Sequence, residues 1–214
     1  MSLDVEMLTV GPVAENCFLL RRESSDKLLI VDPGEEAERI LAAVAATGAA
    51  VEAILITHCH FDHVGAVAPV AAATGAPVYC PEIEVPVLAD IMSFVPYEGF
   101  GPFESYEADE TVAGGETLEL AGLELDVIST PGHSPGHVTY SVRGEDAIFS
   151  GDVLFQGSVG RVDVPGGDWP TLLASIGTLV EGHSAATVVH PGHMGTTTLG
   201  AERATNPFLV ELAR

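Results

Sequence analysis

The sequence has very few basic side chains. Lysine and arginine together number 8 against 31 aspartates and glutamates, and Lys27 is the only lysine. A formal charge of −23 repels a phosphate backbone and an anionic headgroup surface, which argues against nucleic acid and membrane as partners. The bland reading of that charge is an acidic, soluble surface. Cysteine is scarce too. Cys17, Cys59 and Cys80 are odd in number, widely spaced and form no CxxC. That pattern speaks against a disulfide framework and for a reducing, cytoplasmic compartment. The opening MSLDVEMLTV has neither a basic nor a long apolar stretch, so no secretory signal is expected. The most apolar run, VGAVAPVAAATGAPVYC (64–80), is interrupted by Pro69, Gly75 and Pro77. It reads as a small-residue helix leading into a strand, not as a membrane span.

What is present is a hydrophobic fraction of 47% over 214 residues. That suffices for one sizeable core, and a single domain over 1–214 is expected. EMLTVG and NCFLLRR read as opening strands, KLLIVDPG as a buried strand ending in a turn, and VEAILITH as a β-branched strand. EEAERILAAVAATG reads as a helix stopped by Gly48, and Asp62 to Thr74 as another. Residues 81–110 are irregular. Their aromatics Phe94, Tyr97, Phe100 and Phe103 either form a lid at a pocket mouth or pack a loop. ETLELAGLELDVIST, VTYSVRGEDAIFSGD and AATVVHPGH are strand-like, and DWPTLLASIGTLVEG is a helix with Asp168 as N-cap, followed by a short terminal helix. Two sheets face to face with helices outside would satisfy this order.

The chemistry is concentrated in ILITHCHFDHVGAV (54–67), where a strand runs into three histidines, an aspartate and a cysteine. His58, His60, Asp62 and His63 suit borderline divalent metals. His58 and His60, two apart after a strand, can point to one side, whereas Asp62 and His63 open the next helix and project differently. The arrangement therefore looks shared between two ions. STPGHSPGH (129–137), FSGDVLF (149–155) and VVHPGHMG (188–195) add His133, His137, Asp152, His190 and His193 at strand-to-loop junctions. A carboxylate such as Asp152 can bridge two cations. Cys59 lies between two ligands in an extended stretch, so alternation turns it away from the metals. His137 reads as a supporting group, His190 as structural and His183 as exposed. Asp32, before Pro33-Gly34, either supports the cluster or serves ordinary turn chemistry.

THCHFDH, His133 in TPGHSPGH, Asp152 in SGD and His193 in PGH together resemble the metallo-β-lactamase superfamily, in order and spacing along most of the chain. SVGRVDVPGGDW and PGHMGTTTLGAERATNPF look like its short glyoxalase II-type hydrolases, which cleave thioesters such as S-D-lactoylglutathione. The resemblance implies an α/β fold, the four-layer αββα sandwich. It also implies two divalent metals, zinc first, with iron and manganese tolerated by the same ligand types. His58, His60 and His133 would hold the first, Asp62, His63 and His193 the second, and Asp152 would bridge. Asp62 would also orient the attacking water and accept its proton. Arg161 matches a basic position facing the thiol carrier's carboxylate, with a structural ion pair as the other reading. A small-molecule thioester is the implied substrate. Full-length glyoxalase II enzymes carry a C-terminal helical region with basic glutathione contacts, and nothing through NPFLVELAR offers a counterpart, which leaves the thiol carrier open. Persulfide dioxygenases share THCH.DH and TPGH, and would use a single iron on His58, His133 and Asp152.

Overall fold

The structure is a computed structural model and describes residues 2–209. Met1 and residues 210–214, the end of NPFLVELAR, lie outside the described residues. The first half supplies β1 (Leu3–Val10), β2 (Glu15–Arg22), β3 (Lys27–Val31), helix α1 (Ala37–Thr47), β4 (Ala50–Leu55), α2 (Phe61–Val64), α3 (Val67–Thr74) and β5 (Val78–Pro81). The short helices α4 (Val85–Leu88) and α5 (Ile91–Phe94) lead through an irregular stretch to β6 (Glu110–Val112). These strands form a six-stranded sheet in the order β1-β2-β3-β4-β5-β6. β1 to β3 are antiparallel, and β3 to β6 run parallel.

The second half supplies β7 (Thr117–Leu120), β8 (Leu123–Ser129), β9 (Val138–Val142), β10 (Ala147–Gly151), the hairpin β11 (Leu154–Phe155) and β12 (Ser158–Val159), α6 (Trp169–Gly182), β13 (Val188–Pro191), β14 (Thr197–Thr198) and α7 (Leu199–Thr205). Its sheet has the order β14-β13-β10-β9-β8-β7, with β10 and β13 parallel.

Strand alternation explains how the layers stack. In β3, Leu29 and Val31 pack with Phe18, Leu55, Leu125, Tyr140 and Phe149, a core contributed by both sheets. Their neighbours Leu28 and Ile30 face the other way, onto Ile40 and Val44 of α1 and Val67 and Val70 of α3. In β10, Phe149 points to the inter-sheet core while Ile148 packs on Leu172, Ile176 and Leu179 of α6. Helix, sheet, sheet and helix form the expected αββα sandwich, on the period-2 geometry of strands. Full burial of a side chain such as Leu29 or Phe149 stabilises the fold by roughly 1.5–3 kcal/mol.

Two local expectations change. The helix expected over 62–74 is two helices. Gly65 N–H closes α2 on Phe61 O at 2.9 Å, but Ala66 N–H turns to Pro33 O at 3.0 Å. A Cβ on Gly65 would stand 2.6 Å from Gly34 O, so the β3–α1 turn is wedged against the break. His183 is half-buried, not exposed. Its Nδ1–H caps α6 by donating to Leu179 O at 3.0 Å, and Nε2 accepts from Ser141 Oγ at 3.0 Å. The N-cap of α6 is as expected, with the Asp168 carboxylate accepting from Thr171 N. No described helix is long and apolar enough to cross a membrane.

Candidate metal centre

β3 and β4 are parallel neighbours, so Asp32 and Thr57 leave the sheet side by side at their C-terminal ends. Asp32 has φ 50°, a left-handed conformation that Asp adopts more readily than most residues. That bend aims its carboxylate at the histidine stretch. Oδ1 accepts from Thr57 N–H at 2.7 Å, and Oδ2 accepts from Thr57 Oγ1 at 2.6 Å. With its proton given to Asp32, Thr57 Oγ1 accepts from His58 Nδ1–H at 3.1 Å, which leaves the His58 Nε2 lone pair free. His63 Nδ1–H donates to Asp32 Oδ2 at 3.1 Å, freeing its Nε2 in the same way. His133 Nδ1–H donates to Arg161 O at 2.7 Å, and His193 Nδ1–H to Ala14 O at 3.2 Å. Each of these histidines has its tautomer fixed from behind and presents Nε2 to one cleft.

The lone pairs converge in two groups. His60 Nδ1 lies 3.2 Å from His58 Nε2 and 2.8 Å from His133 Nε2. A tetrahedral site with 2.0–2.1 Å bonds separates its ligand atoms by about 3.3 Å, so the first group is close to a metal triad. In the second, His193 Nε2 is 3.2 Å and His63 Nε2 3.8 Å from Asp62 Oδ2. Asp152 stands between them. Its Oδ1 is 3.4 Å from His63 Nε2, and its Oδ2 is 3.4 Å from His133 Nε2 and 3.6 Å from His193 Nε2. Asp32, His58 and His63 also have ligating atoms within 4.8 Å of one another. There the Asp32 oxygens are already saturated by Thr57 and His63, so that group is the support rather than a third cation site.

The donor set fits divalent cations. His63 Nε2 and Asp152 Oδ1 are buried, face each other and have no hydrogen-bond partner. Two acceptors so placed need a positive charge between them. The acid–base balance says the same. Burial disfavours a charged His63, yet the Asp152 and Asp62 carboxylates hold its pKa well above the ordinary histidine value. Burial likewise opposes the charged Asp152, and His63 and His193 overcome it and hold the carboxyl far below its ordinary range. In the first group the sign is reversed. Burial and the crowd of imidazoles lower His58 well below its ordinary value and bring His60 to about 4.

The residues expected at the site therefore meet in one place: His58, His60, Asp62, His63, His133, Asp152 and His193. Cys59 turns away, its Sγ lying 3.5 Å from Cys80 Sγ behind the cluster. All three cysteines are free and buried. His137 is a support: Nδ1 meets Thr130 Oγ1 at 3.0 Å, and Nε2 accepts from Asp152 N–H at 3.0 Å, fixing the backbone of the central carboxylate. His190 stacks on Phe149 with ring centroids 4.8 Å apart. Arg161 is adjacent, but its guanidinium is paired with Asp163. The aromatic segment packs on the residue after His60, with Phe61 4.9 Å from Phe100 and 5.8 Å from Phe103. Phe94 and Tyr97 remain exposed.

Glycine allows the loops to approach this closely. A Cβ on Gly192 would sit 2.2 Å from Asp152 Oδ1 and 2.6 Å from His63 Cε1.

Residues 10–200 match the family described as the metallo-beta-lactamase superfamily. The chain belongs to this superfamily. It is 31% identical to hydroxyacylglutathione hydrolase GloC of Haemophilus influenzae over 97% of this chain and 98% of that protein. The crystal structure of BLEG-1 B3 metallo-beta-lactamase superposes with a TM-score of 0.91 at 37% identity, covering 97% of this chain and 100% of that one. The di-iron-bound form of TTHA1623 superposes with a TM-score of 0.76 at 41% identity, covering 95% and 100%. With its convergent histidine and aspartate donors, this member of the metallo-beta-lactamase superfamily is a metal-dependent hydrolase.

Several parts of the site have no obvious mark in the sequence. Glu84 is buried; its Oε1 accepts from Ser134 Oγ at 2.7 Å and Gly136 N–H at 2.8 Å, and its Oε2 from Cys59 N–H at 3.4 Å. It ties the loops of His58–His60 and His133 together. Asn16 Nδ2 donates to Pro191 O and Met194 O, anchoring the His193 loop. Thr57, Glu84 and Asn16 are ordinary residue types without ligand spacing, so only the fold reveals them.

Proposed function

We propose that the chain is a two-metal thioesterase of the glyoxalase II type. The observation that carries the two-metal part is the Asp152 carboxylate, which lies within 3.6 Å of ligating atoms of both groups. His58, His60 and His133 would hold one cation, Asp62, His63 and His193 the other, and Asp152 would contact both. Zinc, iron and manganese all suit this donor set. Bound there, the cations supply Lewis acidity and lower the pKa of water.

The remaining roles fall to the chain. Asp62 Oδ2 points into the cleft beside His193 Nε2 at 3.2 Å and is kept ionised, burial being outweighed by His63 and the His193 hydrogen bond. It orients the attacking water and accepts its proton. In the reaction, the water oxygen forms a bond to the acyl carbon and the C–S bond breaks. The sulfur leaves as thiolate, which is stable because a free thiol has a pKa of about 8.5. The products are a carboxylate and a thiol. Thr57 and Asp32 keep the imidazole lone pairs aimed throughout.

Thioester chemistry is supported by the similarity to the hydroxyacylglutathione hydrolase of Haemophilus influenzae and by the GRVDVPGGDW and PGHMG segments. The mono-iron reading would employ His58, His133 and Asp152 and leave Asp62 and His193, 3.2 Å apart in the same cleft, without a task. The test is hydrolysis of S-lactoylglutathione and of S-lactoyl-N-acetylcysteamine by metal-loaded protein under anaerobic conditions, with a β-lactam as comparison substrate and glutathione persulfide assayed in parallel in air-saturated buffer. Thiol release without O₂ supports the proposal; turnover confined to the persulfide with O₂ uptake overturns it.

A further inference from the structure

Arg161 is bound into the site through its backbone, because its carbonyl accepts the His133 Nδ1–H at 2.7 Å. Its side chain reaches Tyr97, which contacts Phe100, and Phe100 packs on Phe61, the residue after His60. That cation is already engaged. Arg161 Nε donates to Asp163 Oδ1 at 2.7 Å and Nη2 to Asp163 Oδ2 at 2.8 Å, a two-pronged match of guanidinium and carboxylate. The remaining side of the fork is met by Tyr97, whose hydroxyl accepts from Nη1 at 3.4 Å. Arg161 and Asp163 are two residues apart on one loop, so the pair travels as a unit with the backbone that holds His133. Arg21, Lys27, Arg39 and Arg143 are paired elsewhere, with Asp4, Glu52, Glu36 and Asp126.

We propose that Asp163 is a specificity-determining residue: by occupying Arg161 it turns the cleft toward thioesters whose carrier presents no carboxylate there. The inference rests on the thioesterase reading and concerns the carrier side of the substrate. An anionic carrier must displace Asp163 from its bidentate partner or accept a neutralised ion pair, in a chain that already carries a charge of −23. An uncharged carrier meets no such competition. It can rest on Tyr97, which is 50% exposed beside the Arg161 pair.

The experiment compares kcat/KM for S-lactoylglutathione and S-lactoyl-N-acetylcysteamine in the metal-loaded wild type, Asp163→Asn and the double variant Arg161→Ala/Asp163→Asn. Asp163 is 72% exposed, so its replacement leaves the core untouched. The expected result is a wild-type preference for the uncharged probe. Asp163→Asn then shifts the ratio toward the glutathione conjugate by at least about threefold, through KM rather than kcat, as expected for an exposed charge–charge contact. The double variant loses that shift, which assigns it to the released guanidinium. A ratio unchanged in Asp163→Asn, or a wild-type preference for the glutathione conjugate, overturns the inference while leaving the thioesterase reading intact. Failure of every protein to cleave either probe overturns that reading, and the inference with it.

Discussion

Asp32 Oδ2 accepts the His63 Nδ1 proton at 3.1 Å while Asp32 itself sits at φ 50°. The bent backbone and the aimed carboxylate are parts of one device. The same oxygen takes the Thr57 hydroxyl, and through Thr57 it also sets the tautomer of His58. One carboxylate thus orients a histidine of each proposed metal triad.

Asp32→Asn tests that device with little backbone penalty, because Asn also tolerates the left-handed region. Its amide oxygen can keep the Thr57 N–H bond, so the amide nitrogen must face the His63 Nδ1–H. Two donors then oppose each other, and the His63 proton is driven to Nε2, where the lone pair is needed. Metal affinity or activity should fall about 10–100-fold, measured by metal competition titration and kcat/KM. Unchanged metal affinity would show that Asp32 serves only the turn.

Asp152→Ala should remove the common contact of both groups. Thioester hydrolysis should fall by on the order of 10³-fold or more, with less metal retained after dialysis. A variant keeping full metal content and activity would remove Asp152 from the centre.

The two groups should separate on acidification. His58 is lowered well below its ordinary value and His60 to about 4, so these two carry no proton for a metal to displace at neutral pH. His63 and His193 have raised values in the metal-free chain, so a cation there must expel protons and binds less tightly as pH falls. Metal content measured between pH 8 and 5.5 should fall by one ion per chain, with His193→Ala eliminating that step, while the ion of the first group stays bound. Simultaneous loss of both ions would contradict the assignment.

Gly192→Ala places a Cβ 2.2 Å from Asp152 Oδ1 and 2.6 Å from His63 Cε1. The clash should destabilise the protein by about 1–3 kcal/mol and reduce bound metal. Thermal unfolding and metal analysis measure both. A wild-type Tm would show that the loop yields freely.

Cys59→Ala should leave metal content unchanged, since Cys59 Sγ contacts Cys80 Sγ behind the ligands. The expected cost is about 1 kcal/mol of stability from the small cavity. Loss of metal would reverse the assignment of Cys59 as a bystander.

Ligand chemistry was legible in the sequence because it is local and typed. HCHFDH offers imidazole and carboxylate at alternating positions after a β-branched strand, and the later histidines and Asp152 fall at strand ends. The layer order was legible from alternation, as Leu28 and Leu29 illustrate by facing opposite cores. What escaped depends on distant partners. Thr57 matters because β3 and β4 are parallel neighbours that set it beside Asp32. Glu84 matters because its loop crosses both His58–His60 and Ser134–Gly136. The helix break at Gly65 arises from the Gly34 turn, which the local sequence does not contain. Arg161 meets the site through its carbonyl, and the pairing of its side chain with Asp163 depends on side-chain geometry that the motif does not contain.

Metal analysis of the purified protein is the most direct test of a two-metal centre. Wild-type protein should hold about two divalent ions per chain. His60→Ala and His193→Ala should each hold about one, and hydrolysis of S-lactoyl-N-acetylcysteamine should follow the doubly loaded fraction. One iron per wild-type chain, unaffected by His193→Ala, would contradict the account.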